Sequence, residues 1–82
     1  MTIVVVEWDD AHADMSGGWT THADIDRRAY RVRSVGFLLT DGKPDHVSIF
    51  QSAGGACGDE ADAMDSVLHV PVGMVVSIQS VG

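Results

Sequence analysis

Several things that would narrow the function of this chain are scarce in it. Among its 82 residues there is one cysteine, Cys57. No intrachain disulfide can therefore form, and a free thiol between glycines fits a reducing compartment. No apolar run approaches the ~20 residues that a membrane-spanning helix needs. The opening Met1-Thr2-Ile3-Val4-Val5-Val6 has no basic region and is closed by Glu7. It reads as a first strand rather than a secretion signal, and the expected location is the cytoplasm, with no membrane partner. Basic residues are few: five Lys and Arg against twelve Asp and Glu give a formal net charge of −7. That balance disfavours direct nucleic-acid binding through phosphates. It fits solubility, or an acidic surface that competes for a basic partner.

Signatures of chemistry are scarce too. The chain has no Cys-x-x-Cys, His-Glu-x-x-His or Gly-x-Ser-x-Gly, and no phosphate-binding or dinucleotide-binding glycine pattern. Ser34, Ser48, Ser52 and Cys57 are nucleophile types without a recognisable base. Neither an enzyme nor a cofactor is expected. Asp9, Asp10, His12, Asp14 and His22 cluster in sequence but lack the alternating pattern and closing Glu of a calcium loop. A hydrated acidic loop is the plainer reading. His46, His69 and Cys57 do not have zinc-site spacing, so no metal site is expected.

What the chain does contain is strand-forming sequence. Val67–Val70 and Val75–Val81 are β-branched runs split by Pro71-Val72-Gly73, which suggests two strands joined by one tight turn. Residues 3–8 make a strong first strand. Ala29–Thr40 makes a long one, whose apolar parity switches near Ser34-Val35-Gly36, the mark of a bulge or bend. Asp41-Gly42 predicts a hairpin turn into His46–Ser52. Thr20–Asp26 reads as a short strand or an extended loop. Residues 9–18 read as a loop with one helical turn around Ala11–Met15, after which Trp19 drops back onto the body of the protein. Ala53–Ala63 reads as an exposed loop, with a short helix over Asp59–Leu68 as a less favoured alternative. Together these predict one domain over residues 1–82: an all-β, bent, five-stranded antiparallel barrel of SH3-like or Sm-like type. So small a core gains from a neighbour, so a homo-oligomer is expected.

Two features suggest binding. Trp8 and Trp19 flank an acidic, glycine-rich loop and could border a recess. Arg27, Arg28, Arg31 and Arg33 supply four of the five positive charges. Arginine's planar fork suits phosphate oxygens and its face suits a base. The alternative is that these arginines pair with carboxylates across strands.

Trp8-Asp9-Asp10-Ala11, Gly18-Trp19, Ser34-Val35-Gly36 and Val70-Pro71-Val72-Gly73 occur in an order that resembles small uncharacterised proteins of tailed bacteriophages. There the last motif usually has isoleucine where Val70 stands. The resemblance covers most of the chain and implies an accessory protein acting in the host cytoplasm during infection; it carries no catalytic residues. The expected function is then a non-enzymatic, homo-oligomeric anti-defence protein. It would sequester a small anionic ligand, such as a nucleotide immune signal, at Trp8, Trp19, Arg27, Arg28, Arg31 and Arg33. The alternative is an acidic inhibitor whose Asp59, Glu60, Asp62 and Asp65 engage a host nucleic-acid-binding or defence protein.

Overall fold

A computed structural model describes residues 1–11, 19–25, 27–55 and 61–81, the last stretch without the Ala61 and Asp62 side chains. Seven strands follow in chain order: β1 (Ile3–Asp10), β2 (Tyr30–Leu39), β3 (His46–Phe50), β4 (Ser52–Gly55), β5 (Ala61–Asp65), β6 (Leu68–Pro71) and β7 (Val75–Ser80). Five form one antiparallel sheet in the order β6-β3-β2-β1-β7, and β4 and β5 pair as a separate ribbon. Among the described residues no helix is long and apolar enough to cross a membrane.

The long strand β2 serves two neighbours. It runs against β1 from Ile3↔Phe37 to Asp10↔Tyr30, and its end, Phe37–Leu39, pairs with Phe50–Ser48 of β3. The handover falls at Gly36-Phe37, where the sequence parity switches. Gly36 sits opposite Val4, and a Cβ on it would stand 2.9 Å from the Phe50 carbonyl oxygen and 3.2 Å from Ile49 Cβ. Because the glycine has no side chain, Ile49 of β3 can reach across β2 to Val4 and Val6 of β1. These three residues form the core cluster, bordered by Trp8, Leu38, Val47, Leu68 and Val75.

Strand β3 is buried on both faces, with Ile49 turned to that cluster and Ser48 and Phe50 on the other side. The Phe50 ring lies 5.5 Å from that of its cross-strand partner Phe37, within the range of favourable aromatic pairs. The connection into β3 differs from the expected Asp-Gly turn. The left-handed residue is Asp45, at φ 60°, and His46 N–H donates to the Lys43 carbonyl at 3.3 Å. Gly42 is needed for proximity instead, since a Cβ there would lie 2.6 Å from Ser48 Oγ.

Further expectations are corrected. Ala53–Ala63 is not a plain loop: β4 and β5 extend the β3–β6 arm, and Gln51 N–H donates to the Asp65 carbonyl at 3.1 Å between the two ladders. The same pairing leaves no helix over residues 61–68. Thr20–Asp26 contains a single 3-10 turn at His22–Asp24 among its described residues. The helical turn around Ala11–Met15 falls on residues outside the described ones, apart from Ala11. Strands β6 and β7 are both present but do not pair; the 3-10 turn Val72–Met74 carries the chain from one edge of the sheet to the other.

Candidate functional site

The β1–β2 ladder places the expected site residues on different faces. Strand alternation puts Val4, Val6 and Trp8 on the core side and Ile3, Val5, Glu7 and Asp9 on the other. Trp8 packs against the core cluster, and its indole N–H donates to Ser34 Oγ at 3.0 Å. It is therefore a structural residue at the margin of the core. Trp19 is the reverse: its relative exposure is 103%. The expectation that it drops back onto the sheet is corrected. The core position next to β1 is already taken by Trp8, and Trp19 is presented to solvent ahead of the His22–Asp24 turn.

Arg31 and Arg33 lie on the outer face, directly across from Asp9 and Glu7. Arg31 Nε donates to Asp9 Oδ1 at 2.6 Å, and its Nη1 lies 3.5 Å from Glu7 Oε2. Arg33 Nε donates to Glu7 Oε1 at 2.9 Å. One carboxylate, Glu7, thus bridges two arginines. The hydrogen bond that Arg31 donates to Asp9 raises the Arg31 pKa above its ordinary value; partial desolvation opposes this, and the charges of Asp9 and Glu7 add to it. The cross-strand pairing alternative for the arginines therefore describes Arg31 and Arg33. Their guanidinium groups remain open to solvent, with side chains 45% and 72% exposed.

Arg27 and Arg28 are exposed on the segment leading into β2. Arg27 Nη2 donates to the His22 carbonyl at 2.7 Å, which folds the side chain back on the 3-10 turn. Thr21 Oγ1 donates to Asp24 Oδ2 at 2.7 Å and closes that turn. Ile25 and Tyr30 of the same region are 39% and 59% exposed. The surface near the start of β2 therefore shows an open tryptophan, a tyrosine and an isoleucine alongside arginines that already have partners.

A second polar arrangement, not anticipated from sequence, lies on β3 and β6. Ser48 is 1% exposed, and its Oγ is 2.6 Å from His69 Nδ1, directly across the ladder. His46 Nδ1 donates to the Pro44 carbonyl at 2.7 Å, and its ring meets that of His69 edge-on at 6.3 Å. What the sequence could not supply was the register that sets Ser48 beside His69. The hydroxyl is buried beside Gly42 while the His69 ring is exposed, so the pair ties a covered oxygen of β3 to the surface of β6.

Among the described residues no three His, Cys, Asp or Glu side chains come together as metal ligands. His12, Asp14, Cys57, Asp59 and Glu60 lie outside the described residues. Comparison with protein-family models, curated proteins and solved structures gives no match.

Proposed function

We propose that the chain is a non-enzymatic, homo-oligomeric binding module on an SH3/Sm-like bent barrel, an accessory protein of tailed-phage type that docks on a basic surface of a host protein. The barrel reading is supported by a distance argument. Only Val72–Met74 separates Pro71 at one sheet edge from Val75 at the other. A flat five-stranded sheet holds its edge strands about 19 Å apart, whereas four extended peptide steps reach at most about 14 Å. A strongly curled sheet resolves the mismatch, and so does a core in which β1 and β3 meet over Gly36.

The observation that carries the choice of partner is Glu7 held between Arg31 and Arg33. The two forks best placed for phosphate already hold carboxylates, so an anionic ligand there must displace them against a chain of net charge −7. An acidic surface steers toward a basic partner quickly and in a salt-dependent way. The fully open Trp19 supplies the kind of aromatic anchor that dominates interface energetics. Affinity capture from bacterial host extract, with wild type and Trp19→Ala side by side, tests the reading. Retention of a basic protein at low salt supports it; an empty capture contradicts it.

Sequestration of a small anionic ligand is the second reading. It is supported by the exposure of the paired arginines and by Trp19, whose ring is open for stacking. Calorimetry with cyclic and linear nucleotides separates the two. Binding tighter than millimolar selects the second reading.

A further inference from the structure

The geometry points to β7 as the surface through which two copies of this chain join, edge to edge and antiparallel about a two-fold axis at Ile78. This deepens the oligomeric part of the preceding reading and rests on it.

The two edges of the sheet are not equivalent. Strand β6 has four residues and ends in Pro71, which has no N–H to offer a neighbour. Strand β7 has six residues, Val75–Ser80, with neither proline nor charge, and among the described residues it pairs with β1 alone. Exposed edges without such protection invite another strand. The backbone also has a defined polarity. Val81 N–H donates to the Ile3 carbonyl, so by antiparallel alternation Gln79 and Ser77 turn toward β1, while Ile78 and Ser80 turn their N–H and C=O groups outward.

The side chains agree. Ile78 is the partner of Val6, which is fully buried, and so lies on the core face, yet it is 44% exposed. It stands at the rim of the core, and among the described residues no strand lies beyond it. Val76 is 48% exposed beside it. Burying such side chains is favourable, and a lone 82-residue chain has little other core to gain from.

Charge identifies the occupant as a second copy. Residues 66–82 contain no Asp, Glu, Lys or Arg, so every charge behind the net −7 lies elsewhere. This strip is where two strongly acidic copies can meet without setting like charges face to face. An isologous pairing sets Ile78 opposite its own equivalent and Val76 opposite the second copy's Ser80 position.

Sedimentation of the full chain across a concentration series, with Ile78→Lys in parallel and dichroism to check folding, is the test. The expected result is a wild-type dimer and at least a tenfold weaker association for Ile78→Lys. Should that variant fail to fold, Cys57→Ser/Ile78→Cys decides. Paired residues there lie about 5.5 Å apart between Cα atoms, inside the disulfide window, so mild oxidation gives a covalent dimer. The control Cys57→Ser/Val35→Cys, on a central strand, gives none. A monomeric wild type at every concentration overturns both this inference and the oligomeric reading. An oligomer that is indifferent to Ile78→Lys and does not cross-link through position 78 overturns only the inference.

Discussion

Asp9 and Arg31 face each other across the β1–β2 ladder with 2.6 Å between Oδ1 and Nε. Neighbouring Glu7 reaches the same arginine and Arg33 as well. The cluster lies on the solvent side, where ion pairs contribute little and salt screens them. Glu7→Gln is expected to lower the urea midpoint slightly at low salt and not measurably at high salt. It is also expected to strengthen binding of an anionic probe such as ATP, by freeing the Arg33 fork while Arg31 stays bound to Asp9. Calorimetry with the variant checks this second effect.

Gly36→Ala places a methyl group against backbone, 2.9 Å from the Phe50 carbonyl oxygen. Backbone in a ladder cannot swing aside as a side chain can, so the β2–β3 approach must open. The expected loss is about 1–3 kcal/mol of unfolding free energy, read from urea denaturation. An unchanged midpoint would show that Ile49 does not need this closeness to reach Val4.

Gly42 and Ser48 are coupled. A methyl group at position 42 would meet Ser48 Oγ at 2.6 Å and its Cβ at 2.7 Å, and Ser48 is buried and tied to His69. Gly42→Ala should destabilise by about 1–3 kcal/mol. Combined with Ser48→Gly, which removes both contacted atoms, it should cost clearly less than the sum of the two single changes. Strict additivity in that cycle would refute the contact.

The two tryptophans should report opposite environments. In Trp8→Phe the remaining emission comes from Trp19 and should be quenched by acrylamide almost as readily as free indole. In Trp19→Phe, Trp8 should be protected. Ser34→Ala leaves the partly buried Trp8 N–H without its acceptor, at a cost of about 1–2 kcal/mol.

The strands built from Val, Ile and aromatic residues were legible, and so was the special position of Gly36, because alternation and its interruption are local properties; the β1–β2 ladder nevertheless passes Gly36 without a bulge. The β4–β5 ribbon was not. Its Ser52-Ala53-Gly54-Gly55 segment has low strand propensity, and its order comes from continuing the β3–β6 ladder, which no local window reveals. The arginines could be read as a cluster, but their partners depend on register: Glu7 and Arg33 are far apart in sequence and adjacent only once β1 and β2 align. Trp19 misled for a related reason. A tryptophan in a chain with few aromatics invites placement in the core, but that volume had already gone to Trp8.

The most direct measurement is capture from bacterial host extract by wild type and Trp19→Ala, at low and high salt, alongside nucleotide calorimetry. The account predicts one basic protein held by wild type, released by salt and retained at least tenfold less by Trp19→Ala, with no nucleotide bound tighter than millimolar. A tight nucleotide complex with no captured protein would contradict it.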